Sequence, residues 1–85
     1  MRLQFTSGFE TRYKKLAKND NKIKNLIKKQ LQRLITDPLH PSLRLHKIEK
    51  ADCWSISINK SIRVLLFFSE NTTTVFDIGK HEDVY

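Results

Sequence analysis

The chain has 85 residues, a length that permits one domain with one small core and leaves no room for a separate regulatory module. No run approaches the apolar length needed to cross a bilayer, and the opening residues, one arginine followed by mixed polarity, lack a secretory pattern, so the cytoplasm is the expected compartment. A single cysteine, Cys53, excludes an internal disulfide and has no ligand-spaced partner for zinc, while a net charge of +7 points to polyanionic or acidic partners.

Arg2 to Thr6 alternates Leu3 and Phe5 with polar neighbours, the pattern of a short strand. Ser7-Gly8-Phe9-Glu10 has the spacing of a capping box, in which the serine oxygen and the glutamate satisfy exposed amides of a starting helix. Phe9, Tyr13, Leu16 and Ala17 give that helix an apolar stripe, and it is expected to end near Asn19. Asp20 is placed to cap a second helix, in which Ile23, Leu26, Ile27, Leu31, Leu34 and Ile35 recur at the three-and-four spacing of one buried face. Asp37-Pro38 stops it, because the residue before a proline disfavours helical geometry. Two such helices are too small to stand alone and need a sheet to cover.

The second half supplies the sheet. It begins with Leu43, Leu45 and Ile48, followed by Trp54, Ile56 and Ile58 alternating with Ser55, Ser57 and Asn59. Asn59-Lys60-Ser61 reads as a tight turn. In the next run Ile62, Val64, Leu66 and Phe68 face one way and Arg63, Leu65 and Phe67 the other, so this strand is apolar on both sides except at Arg63 and belongs at the centre. Glu70-Asn71 turns the chain into Thr74, Phe76 and Ile78. The expected architecture is an α+β fold, one domain over residues 1–85, with two N-terminal helices on one face of a mainly antiparallel four-stranded sheet and the other face partly open. Hydrophobic surface around Leu65 and Phe67 is expected to need a partner.

Charge is unevenly spread. Residues 1–36 hold ten lysines and arginines against Glu10 and Asp20, a balance of +8, whereas residues 37–85 hold six against seven carboxylates, a balance of −1. A basic half raises encounter rates with nucleic acid without specifying sequence, and it docks an acidic protein equally well.

The run Gly79-Lys80-His81-Glu82-Asp83-Val84-Tyr85 follows a strand pattern and sets a histidine and a tyrosine, each able to handle a proton, beside a lysine. With Arg63 these are the ingredients of metal-free phosphodiester cleavage. The neighbouring 2′-hydroxyl of RNA is the nucleophile, a base takes its proton, an acid protonates the leaving 5′-oxygen, and cations stabilise the charge on phosphorus. An imidazole titrates near neutrality, and an arginine presents a planar fork to two phosphate oxygens as a lysine does not. Each residue also has a structural alternative: Arg63 as an ion pair with Asp77 or Glu49, His81 as a solvated side chain, His46 as a packing or backbone-bonding histidine, Trp54 as a core anchor. Asp77, His81, Glu82 and Asp83 lack a recurrent metal-ligand spacing, so no metal or other cofactor is expected.

The order of elements, together with Leu45-His46-Lys47-Ile48, Trp54-Ser55-Ile56-Ser57-Ile58, Ile62-Arg63-Val64 and Asp77-Ile78-Gly79-Lys80-His81-Glu82-Asp83-Val84-Tyr85, resembles the RelE/ParE superfamily of toxins from toxin–antitoxin pairs. The resemblance covers essentially the whole chain. It implies a ribosome-dependent mRNA endoribonuclease that blocks translation, with Arg63 on the scissile phosphate and His81 and Tyr85 taking part in cleavage. By the same resemblance Lys47 or Lys50 make further phosphate contacts, and Lys80 beside the histidine is also set against RNA. The implied partners are a cognate antitoxin, in a hetero-oligomer, and the ribosome with its mRNA; no membrane is implied. Members of the ParE branch keep the fold and inhibit DNA gyrase without cutting RNA, which is the alternative, together with an inactive toxin-like binding module. Glu82 and Asp83 beside His81 are a departure from a basic RNA groove, since carboxylates raise a histidine's pKa and repel phosphate.

Overall fold

In a computed structural model, which describes residues 2–80, the chain opens with strand β1 (Arg2–Phe5) and turns at once into helix α1 (Ser7–Ala17). The cap is Thr6 and not Ser7: Thr6 Oγ1 accepts the Phe9 amide at 3.1 Å. Thr6 still donates its own amide to Val75 O, so it keeps the extended backbone that a cap needs and a β-branched residue favours, and the helix starts one residue earlier than the capping-box spacing implied. After α1, Asn19 adopts a left-handed φ of 57°, which asparagine tolerates. Asp20 then caps helix α2 (Asn21–Thr36) as expected, its Oδ1 accepting the Ile23 amide at 3.0 Å.

Beyond α2 a short 3-10 turn (Pro41–Leu43) leads to β2 (His46–Ile48), a second 3-10 turn (Glu49–Ala51), β3 (Cys53–Ser57), β4 (Ile62–Ser69) and β5 (Thr72–Lys80). The sheet order is β1-β5-β4-β3-β2; β1 runs parallel to β5 and every other pair is antiparallel. The sheet therefore has five strands and not the four expected, and one of its pairings is parallel. The extra strand is β2, whose three residues are too few to display alternation on their own. It becomes a strand because Asp52, at φ 50°, closes the Glu49–Ala51 turn and folds His46, Lys47 and Ile48 back against Ser55, Trp54 and Cys53.

One core cluster joins the layers: Phe9 of α1, Ile27, Leu31 and Leu34 of α2, and Ile56, Val64, Leu66, Val75 and Ile78 of the sheet. Val75 and Ile78 are three apart, which a regular strand would send to opposite faces. A bulge resolves this, since Leu65 pairs with Asp77 while Leu66 pairs with Val75, leaving Phe76 as the extra residue. On the face away from the helices Leu65 is buried and only Phe67 is half open, stacked at a tilt on Phe76 with centroids 5.7 Å apart. The apolar surface expected around both residues is thus confined to Phe67 and its neighbours. Trp54 packs against the core edge, 5.8 Å from Phe68, as the anchor reading expected. Among the described residues no helix is long and apolar enough to cross a membrane.

Candidate functional site

Strand β4 is the central strand, with two strands on either side. Ile62 and Val64 enter the core, so alternation sends Arg63 to the face opposite the helices. There its side chain is 8% exposed. Its Nε donates to Ser55 Oγ at 3.3 Å, and its Nη2 lies 3.2 Å from His46 Nδ1. Ser55 is fully buried on β3, and His46 stands exposed on the edge strand β2 in register with it. Three adjacent strands thus place Arg63, Ser55 and His46 side by side on one face.

The same His46 nitrogen lies 3.1 Å from the Arg44 carbonyl oxygen. A guanidinium only donates, so it is served by the neutral Nε2–H tautomer, in which Nδ1 accepts; a carbonyl only accepts, so it is served when Nδ1 carries a proton. One ring nitrogen satisfies one neighbour at a time. The tautomer of His46 therefore sets whether Nδ1 serves Arg63 or the Arg44 carbonyl.

Of the other sequence-expected residues, Lys80 ends β5 paired with Ile62, which puts its side chain on the face the helices cover, beside Arg12 and Lys15 of α1 and not beside Arg63; Gly79 lies directly across from Arg63. Lys47 alternates with His46 and pairs with Trp54, which puts it on the other side of the sheet, 3.7 Å from the Asp52 carboxylate. Lys50 lies exposed in the Glu49–Ala51 turn. His81 and Tyr85 lie outside the described residues. The ion pair considered for Arg63 with Asp77 is not formed: Asp77 Oδ1 binds Arg12 Nη1 of α1 at 2.8 Å and accepts the Ile78 amide. His46 and Ser55 were not among the sequence-expected site residues. The available signal was alternation, which puts Ser55 and Arg63 on one face once β3 and β4 are paired.

Among the described residues no three of histidine, cysteine, aspartate and glutamate gather as metal ligands. Cys53 is buried on β3, and burial, followed by the nearby Asp52 charge, raises its thiol pKa, the opposite of what a nucleophilic cysteine needs. What the Arg63 face offers is a cation held by the sheet with an imidazole beside it, an arrangement fit for holding a phosphate.

No family model matches the sequence, and no curated protein matches it. Solved structures do match in fold. A metal-bound toxin from Helicobacter pylori superposes with a TM-score of 0.83 at 22% identity, covering 100% of this chain and 99% of that one. The E. coli DinJ-YafQ complex matches at 0.81 and 18% identity, over 100% and 99%. A YoeB/ParE toxin from Agrobacterium tumefaciens matches at 0.80 and 16% identity, over 95% and 99%. The fold is that of the RelE-like toxins.

Proposed function

We propose that this chain, folded as the RelE-like toxins are, is the toxin of a toxin–antitoxin pair and stops translation by cutting mRNA on the ribosome without a metal. The observation that carries this reading is Arg63, held by Ser55 on the central strand and bordered by His46 and the end of β5. In the proposed reaction the 2′-oxygen attacks phosphorus, its proton passes to a base, the bond from phosphorus to the 5′-oxygen breaks, and an acid protonates that oxygen. Arg63 stabilises the added negative charge, His81 exchanges protons as general acid or base, and Tyr85 assists. Lys50, exposed in the turn after β2, neutralises a backbone phosphate at the far edge of the sheet, whereas Lys47 and Lys80, on the face opposite Arg63, reach only RNA that passes around the sheet's ends.

An antitoxin partner fits a second surface. A groove bordered by β1, α1 and α2 is walled by Leu3, Phe9, Ile27 and Leu31, leaves Phe5 and Ile35 exposed, and carries Lys24 and Lys28 against the single carboxylate of Glu10. That combination suits an acidic, amphipathic antitoxin segment. The fold match to YafQ in complex with DinJ supports the same pairing. The test is expression of the chain alone and with an adjacent antitoxin. Growth arrest that the antitoxin relieves, with protein synthesis failing first, supports the reading. DNA breaks appearing first would replace it with gyrase inhibition.

A further inference from the structure

Arg63 also borders a second concavity, of about 440 Å³, at the end of the sheet where α2 passes the β3–β4 turn. Four cations, Arg33, Arg44, Lys60 and Arg63, line it, and among the described residues no carboxylate does. They come from three stretches of the chain, Arg33 on α2, Arg44 before β2, and Lys60 with Arg63 around the start of β4, and the last three belong to the half that is net acidic. Converging like charges is unfavourable unless an anion offsets it.

The site is built. Gln30, 3% exposed, donates through Nε2 to Ser57 O at 2.8 Å and Ser42 O at 3.2 Å, tying α2 to the sheet and to the Pro41–Leu43 turn. Its Oε1 accepts Arg33 Nη1 at 3.1 Å, and the same nitrogen donates to Ser42 Oγ at 2.9 Å. Arg33 is therefore oriented by neutral oxygens, with no carboxylate among the described residues bound to it. Lys60 projects from a turn fixed by Asn59 Oδ1, which accepts the Ser61 and Ile62 amides at 2.8 Å each.

We propose that this concavity is a second phosphate subsite, taking a backbone phosphate of single-stranded RNA next to the one that Arg63 holds. The proposal rests on the reading of Arg63 as a phosphate ligand. Because Arg63 borders both places, a chain bound at one continues into the other. The non-cationic lining is mostly serine, glutamine and asparagine, which hydrogen-bonds phosphate and sugar; the apolar footing that an amphipathic peptide needs lies in the groove at Phe5 and Ile35 instead.

The test is binding of a labelled oligoribonucleotide, 2′-O-methylated throughout so that it has no nucleophile, to the full chain across a salt series. Lys60→Gln and Arg44→Gln, both at exposed side chains, are compared with Lys22→Gln, which removes the same charge at the far end of α2. Each site variant is expected to weaken binding roughly three- to tenfold and to flatten the slope of log affinity against log salt by about 0.7, with unchanged melting and little effect from Lys22→Gln. Equal losses in all three variants, or none, would overturn the subsite. So would variants that keep RNA binding and lose antitoxin binding, which would hand the concavity to a protein. If ribosomal cleavage is absent yet the site variants lose RNA binding, the nuclease reading fails and the subsite stands.

Discussion

Nη2 of Arg63 lies 3.2 Å from Nδ1 of His46, across 17 residues of sequence and one intervening strand. Arginine cannot give up its proton, so the contact is a hydrogen bond only while the imidazole nitrogen accepts. On the proposed mechanism His46 is a positioning residue for the cation that meets the phosphate.

Replacing Arg63 with lysine keeps the charge and removes the fork. On the proposed mechanism Arg63→Lys and Arg63→Ala both lose about 10²–10³ in the cleavage step, the cost typical of removing one preorganised donor. Single-turnover cleavage on programmed ribosomes measures this. A lysine variant with near wild-type rate would show that charge alone suffices.

His46→Ala removes only the positioning contact, so its loss is expected to be smaller, around tenfold, and to vanish in an Arg63→Ala background. A double-mutant cycle on the cleavage rate checks this, with a coupling of roughly 0.5–3 kcal/mol expected for residues in contact. Additive losses would mean that His46 acts independently of Arg63.

Gln30→Ala leaves the buried Ser57 carbonyl and the partly buried Ser42 carbonyl without their side-chain donor. A loss of roughly 1–3 kcal/mol is expected, and at about 4–8 °C per kcal/mol for a domain of this size the melting temperature should fall visibly. Thermal unfolding followed by circular dichroism decides it.

Burial and the Asp52 charge raise the Cys53 pKa in the folded state. For a group raised on folding, the stabilising contribution is complete below the unfolded thiol pKa and is lost as pH rises through the folded one. Stability should thus fall on the alkaline side, and native Cys53 should resist alkylation at neutral pH while the denatured chain reacts. A Cys53→Ala variant should lose that alkaline dependence in a pH series of denaturant midpoints.

Ile35 is exposed beside the groove assigned to the antitoxin. Ile35→Glu adds a negative charge where an acidic segment is proposed to dock. Growth arrest should persist and rescue by the antitoxin should weaken in co-expression.

The helices and the central strand were legible from periodicity. Six apolar residues from Ile23 to Ile35 mark one helical face, and a run apolar on both sides marks β4 as central. Strand β2 was not legible as a separate element, because three residues carry no period and its formation depends on a left-handed Asp52. The start of α1 was displaced by one residue because Thr6 and Ser7 offer the same hydroxyl and only the ladder bond from Thr6 separates them. In the site, Arg63 stood out as the one charge in an apolar strand. Its partners did not, since His46 and Ser55 meet it only after β2, β3 and β4 are in register. The basic concavity was hidden for the same reason, since Arg33, Arg44 and the Lys60–Arg63 stretch come from three separate parts of the chain.

Metal-free mRNA cleavage by this chain is tested by mapping mRNA 5′ ends after brief induction of the wild-type chain beside Arg63→Ala and His81→Ala. New ends within translated frames are expected in the wild type and should disappear in both variants. Intact transcripts in wild-type cells that nevertheless stop growing would contradict cleavage as the activity.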